Sequence, residues 1–198
     1  MKHARSAVTV AVILILGLTG CSKPDAPSKP AATLPTTAKP AQPYEAVAAQ
    51  AKGFTVGALM SAHPVYVLFD PQCPHCGHLW EAALPLHNRV KFVWIPVSIM
   101  NGRSGPQGAA LLTASDPAAA MSVHEKSILA GTGGMSAPAS VPRDVELAIQ
   151  KNTALLGNLG AESVPYIVAR NVSTGLVVSV AGSLTTPDLA KFLGLATP

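Results

Sequence analysis

The sequence predicts an α/β domain with a reactive cysteine pair at a strand-to-helix junction, and three observations predict it. Short runs rich in β-branched and aromatic residues recur at Val65–Phe69, Phe92–Val97, Pro165–Arg170 and Leu176–Ala181, with the length and composition of strands. Helical patterns occupy the intervals between the first and second runs, between the second and third, and after the fourth. The segment Cys73-Pro74-His75-Cys76 follows the first run directly. The predicted order is strand, helix, strand, helices, strand, strand, helix.

The chain of 198 residues is long enough for one ordinary domain with additions. Met1 to Gly20 carries Lys2 and Arg5 ahead of the apolar run Ala7–Leu18, the layout of an export signal. That run is too short for a comfortable membrane span. Ser22 to Pro43 holds six prolines among Ala, Lys, Ser and Thr and reads as an extended tether. The predicted organisation is a signal over 1–20, a tether over 21–43 and a folded domain over 44–198.

Charge excludes one class of function. The formal net charge is +4, but from Tyr44 onward nine basic residues balance nine acidic ones. The folded part has no electrostatic footprint for nucleic acid.

Within the domain, Pro64 to Asp70 reads as a buried strand because Val65-Tyr66-Val67-Leu68-Phe69 is bounded by prolines. A helix follows the cysteines to about Asn88, kinked at Pro85, which has no N–H to donate. Lys91 to Ile99 is the next strand. Asp116-Pro117 starts a helix with a capping acid and a first-turn proline, and Gly131 to Gly134 stops it. A further helix runs from about Arg143 to Leu159, with Gly160 as its stop. Pro165–Arg170 and Leu176–Ala181 form a hairpin across Asn171 to Gly175, and Thr186-Pro187-Asp188 opens the last helix. The region from Gly105 to Gly160 is thus a helical insertion, expected to shape the substrate surface.

The position of the cysteines suits thiol chemistry. The attacking species in disulfide exchange is a thiolate, which needs access and a lowered pKa. At a helix start, the Cys73 sulfur faces unpaired N–H groups and the positive end of the helix dipole. Cys73 is the expected nucleophile. Cys76, one turn later on the same face, is the expected resolving thiol. Pro74 fixes the first turn without losing a needed donor, and His75 beside the pair is expected to tune the thiolate by charge or hydrogen bonding.

Two family resemblances follow from these residues. Leu18-Thr19-Gly20-Cys21 resembles the bacterial lipobox, which implies cleavage before Cys21, lipidation of that cysteine and attachment to a membrane. Only Cys73 and Cys76 then remain in the mature domain. The element order resembles thioredoxin with a helical insertion. Within that fold the chain is similar to the thiol:disulfide interchange family of DsbC and DsbG, through Phe69-Asp70-Pro71-Gln72-Cys73-Pro74-His75-Cys76, Ala114-Ser115-Asp116-Pro117, Asn152, Leu155-Leu156, Leu159-Gly160-Ala161 and Pro165. These matches span most of Val65 to Leu195.

The resemblance implies a cis-proline at Pro165 that packs against the active cysteines and exposes backbone to a bound peptide. It implies substrate contacts at Val164 and Asp70. Asp70, three positions before the first cysteine, is typical of this family, whereas thioredoxin and the oxidase DsbA carry an acid where this chain has Val67. Val164 stands where the family commonly has threonine and, with Pro74-His75, is similar to DsbA. Only Tyr44 to Pro64 is available for the family's N-terminal dimerisation module, so a monomer is expected.

The implied function is a thiol:disulfide oxidoreductase on the periplasmic side of the envelope. It would reduce or isomerise disulfides, or reduce oxidised cysteines, in cysteine-containing envelope proteins. A membrane electron donor of DsbD type would keep it reduced, and no cofactor or metal is needed. One alternative is a disulfide-forming oxidase of DsbA type. Another, from a different class, is a copper-binding protein, because Cys73, His75, Cys76 and His78 lie close in sequence.

Overall fold

The computed structural model describes residues 42–196. In it the chain runs α1 (Pro43–Gln50), β1 (Phe54–Gly57), β2 (Val65–Phe69), α2 (Pro74–Ala83), β3 (Lys91–Pro96), α3 (Ser104–Thr113), α4 (Pro117–Leu129), α5 (Arg143–Asn158), β4 (Tyr166–Arg170), β5 (Val177–Ala181) and α6 (Thr186–Leu193). The predicted signal, Cys21 and all but the last two residues of the predicted tether lie outside the described residues. No helix among the described residues is long and apolar enough to cross a membrane.

The strands form one sheet in the order β1-β3-β2-β4-β5. β2 is nearly continuous in apolar side chains, and a strand with two apolar faces belongs in the middle of a sheet. It sits there with β3 parallel on one side and β4 antiparallel on the other. The parallel pair is joined through α2, the connection such pairs require. Trp80 of α2 packs edge-on against Trp94 of β3, with ring centroids 5.1 Å apart, and Phe69 stacks edge-on against the same indole at 5.6 Å. These rings are almost wholly buried and anchor α2 to the sheet.

The helix starts follow their local chemistry. The Asp116 side chain accepts from the Ala119 amide at 3.0 Å and starts α4, while Thr185 caps α6, which ends at Gly194 with φ of 74°. Left-handed backbone at a helix end favours glycine.

Several boundaries differ from expectation. α2 ends at Ala83 and passes into a single 3-10 turn, Leu84–Leu86, because Pro85 breaks the α-helical hydrogen-bond ladder rather than kinking a longer helix. β3 ends at Pro96 and not at Ile99, since the amides of Ser98, Ile99 and Met100 turn to side-chain acceptors on Thr153 and Asp70. α1 and β1 occupy a stretch in which no element was expected. β1 is an edge strand of four residues, paired antiparallel with β3. Buried Asn152 of α5 ties the segment before β1 to the sheet: its amide group bonds both backbone groups of Lys52, at 2.9 and 2.8 Å, and the carbonyl of Pro96 at 3.0 Å.

Candidate active site

The sheet brings two distant segments to one place. The chain leaves the C-terminal end of central β2 through Asp70-Pro71-Gln72, and Cys73 becomes the N-cap of α2 with Pro74 in its first turn. β4 runs antiparallel to β2 with Tyr166 opposite Leu68. Pro165 therefore arrives at the end of the sheet where the cysteines lie. The Val164–Pro165 peptide bond is cis, and the Cys73 sulfur lies 3.6 Å from the Val164 carbonyl oxygen. Sequence expectation placed Cys73, Cys76, Val164 and Pro165 together, and the fold brings them together.

The two thiols differ in surroundings. Cys73 is 4 % exposed, and Cys76 is fully enclosed. A hydrogen bond from the Cys76 thiol is the largest influence on Cys73, which titrates at about 6 rather than 9.0. Burial opposes this shift, and the backbone N–H groups of Cys76 and His75, followed by the His75 charge, reinforce it. Cys73 is thus largely a thiolate at neutral pH. Burial pushes the Cys76 thiol well above 9.0, and the adjoining Cys73 adds to the rise. Pro74 and His75 face solvent at the first turn.

Asp70 departs from expectation. It was predicted to contact substrate, yet it is completely buried. One carboxylate oxygen accepts from the Gln72 amide at 2.8 Å, and the other accepts from the amides of Ile99 and Met100 at 2.8 and 3.0 Å. With both oxygens occupied by backbone, Asp70 shapes the loop ahead of Cys73 and the neighbouring 97–100 segment. The side chains of Ile99 and Met100 are left half-exposed beside it.

The helical insertion supports the same loop. His124 of α4 is fully buried. Its Nδ1 accepts from the Met135 amide at 3.1 Å, which leaves Nε2 as the donor to the Pro71 carbonyl at 2.6 Å. Gln72 Nε2 donates to the Gly133 carbonyl at 3.0 Å, and Gln107 of α3 donates to the carbonyls of Gly133 and Met135 at 2.9 and 2.7 Å. The backbone following α4 passes so close to His124 that a Cβ on Gly134 would lie 2.5 Å from the imidazole, and Gly134 has φ of +83°. Only glycine suits such a position.

Glu125 was also missed by sequence reasoning. It is 1 % exposed, and neither carboxyl oxygen has a hydrogen-bond partner among the described residues. Burial first, then the charges of Cys73 and Asp70, raise it to about 9. A signal for both residues was present in the sequence. Met121, His124, Glu125 and Ile128 follow the i, i+3, i+4, i+7 spacing of a buried helix face, and two ionisable residues on such a face mark a functional candidate.

A cleft of about 570 Å³ lies between α3 and α5, lined by Ser98, Pro106, Ile149 and Thr153 among others. None of its lining residues belongs to the thiol site. Among the described residues, no three His, Cys, Asp or Glu side chains converge as a metal-binding group; His75 and His78 have ring centroids 6.5 Å apart.

Comparison with known proteins identifies relatives of the chain. No family model matches the chain. The thiol:disulfide interchange protein DsbG of Pseudomonas aeruginosa is 33% identical over 132 residues, covering 66% of this chain and 50% of that protein. DsbG of Escherichia coli K12 is 31% identical over 105 residues, covering 52% of this chain and 42% of its own length. The chain thus spans about half the length of these relatives. In fold, it is similar to a periplasmic thioredoxin-like protein from Salmonella enterica serovar Typhimurium, with a TM-score of 0.61 at 13% identity over 77% of this chain and 94% of that one. The catalytic domain of Proteus mirabilis ScsC gives a TM-score of 0.58 at 16% identity over 76% and 96%. The fold is thioredoxin-like with a helical insertion, and the chain belongs to the DsbC/DsbG-like family of thiol:disulfide interchange proteins.

Proposed function

We propose that this protein is an envelope thiol:disulfide oxidoreductase that reduces or isomerises disulfides, or reduces oxidised cysteines, through Cys73-Pro74-His75-Cys76. The observation that carries this reading is the asymmetry of the pair, with Cys73 lowered to about 6 at the start of α2 and Cys76 enclosed and raised behind it. Cys73 attacks the substrate disulfide as a thiolate and forms a mixed disulfide. Cys76 then attacks Cys73 and releases the substrate thiol. Val164 and cis-Pro165 present backbone beside Cys73 for an extended peptide, as a strand end does, and His75 favours the thiolate by its charge.

Substrates on this reading are cysteine-containing envelope proteins, and a membrane electron donor of DsbD type restores the dithiol. Lipidation at Cys21 would hold a monomeric domain at the membrane on the periplasmic side. A second reading, a disulfide-forming oxidase, is favoured by one observation: stabilising the Cys73 thiolate stabilises the reduced form and makes the disulfide more oxidising. The in-cell redox state of the pair separates the two. A predominantly reduced pair with insulin-reducing activity supports the reductase or isomerase, and a predominantly oxidised pair overturns it in favour of the oxidase.

A further inference from the structure

The closing step of exchange poses a chemical problem for Cys76. Its thiol is fully enclosed and titrates well above the ordinary value, yet it must lose a proton to attack Cys73. Water has little access to take that proton. The group that reaches this enclosure from the other side is the Glu125 carboxyl of α4. A Cβ added to Gly77, the residue after Cys76, would lie 2.9 Å from Glu125 Oε2. The missing side chain at position 77 lets the carboxyl lie against the turn of α2 that carries Cys76. Both Glu125 oxygens are buried and without partners, an arrangement that costs free energy without a structural return.

We propose that Glu125 is the proton acceptor that turns Cys76 from a thiol into a nucleophile when the mixed disulfide on Cys73 is resolved. The inference rests on the thiol-exchange reading of the site. In this step Cys76 Sγ–H gives its proton to the Glu125 carboxylate, and the Cys76 sulfur attacks Cys73 Sγ. The Cys73–Cys76 bond forms as the bond from Cys73 to the substrate sulfur breaks. The substrate sulfur leaves with the electron pair and takes a proton from water. Over the two steps the protein thiols give up two electrons, and the substrate disulfide gains them.

The groups facing Glu125 time its basicity. Cys73 and Cys76 face it from α2, and Asp70 faces it from the loop after β2; its own helix contributes neutral, buried His124. No Lys or Arg pairs with it among the described residues. While Cys73 is a thiolate, its negative charge adds to burial in keeping Glu125 protonated, so the acid does not repel the nucleophile. Once Cys73 is bonded to substrate, that charge is gone. Burial still raises Glu125, but with the Cys73 charge removed it is a stronger acid, and its carboxylate is more populated when Cys76 needs a base.

The test is single-turnover exchange between the reduced protein and a disulfide-bonded peptide, with mixed-disulfide formation and release timed separately by acid quench. In Glu125→Gln, release at pH 7 should slow on the order of 100-fold and should rise about tenfold per pH unit where hydroxide supplies the missing base, while formation changes far less. Release at the wild-type rate with a parallel pH profile would overturn the proposal. Because an amide in this buried site also changes packing, a second measurement uses the native acid. In Cys76→Ser protein, a carboxyl carbon NMR titration should find Glu125 ionising at lower pH when Cys73 is capped as its methyl disulfide than when it is free. An unchanged titration would overturn the proposal. Failure of the wild-type protein to form any Cys73 adduct would instead overturn the thiol-exchange reading and this inference with it.

Discussion

Removing the Cys76 thiol should move the titration of Cys73 upward. The hydrogen bond from Cys76 is the largest influence holding Cys73 at about 6. Hydrogen bonds to charged groups contribute about 1.5–3 kcal/mol, and about 1.4 kcal/mol corresponds to one pH unit. Cys76→Ala should therefore move the Cys73 midpoint from about 6 to roughly 7–8, the remaining depression coming from the helix-start amides and His75. Cys76→Ser retains an O–H donor and should shift it less. Thiolate absorbance near 240 nm, followed from pH 4 to 10, reads the midpoint directly. Alkylation rate at a single pH is a poor substitute, because a less acidic thiol is also a better nucleophile, and the two effects oppose each other. Coincident titrations of wild type, Cys76→Ala and Cys76→Ser would refute the assignment of this hydrogen bond as the main cause.

Other perturbations test the supports of the site. Asp70→Asn places amide hydrogens against three backbone donors and should destabilise the fold by about 2–4 kcal/mol, measured as a lowered urea midpoint; an unchanged midpoint would show that the carboxylate is dispensable. Gly77→Ala drives a methyl group against Glu125 and Leu129 and should cost about 1–3 kcal/mol, with relief in the Glu125→Ala background. Burial holds His124 below its ordinary 6.5, so its contribution is present above pH 6.5 and is lost as pH falls through its lowered folded value; His124→Gln should flatten this part of the stability profile. Glu125 is raised from 4.5 to about 9, so its contribution is present below 4.5 and is lost as pH rises toward 9. Glu125→Gln should gain on the wild type across that window, by at most about 1.4 kcal/mol per pH unit, and a constant difference would contradict a buried, neutral acid.

Local signals made part of this molecule legible. The bounded apolar run before Cys73, the capping pair Asp116-Pro117 and the turn ahead of β5 each act within a few residues, and each appears in the structure near its expected place. The cysteine pair is a local motif, whereas the cis bond at Pro165 and its position beside that pair were expected only from the family resemblance. What was not legible depended on tertiary partners. β1 is four residues long and owes its pairing to β3, so no periodicity announces it. Asp70 was expected to contact substrate, and only the turning of the 97–100 backbone toward it makes it a buried acceptor. His124 and Glu125 lie on a recognisable buried helix face, but the spacing within α4 does not tell which loop or which thiol that face covers.

In the proposed exchange, Cys73 alone attacks substrate and Cys76 alone resolves the adduct. Its most direct test is intact-mass and peptide mapping of Cys76→Ser after mixing with a disulfide-bonded substrate. A stable adduct at Cys73 is expected, absent when Cys73→Ser is added. No adduct in Cys76→Ser, or one that persists without Cys73, would contradict it.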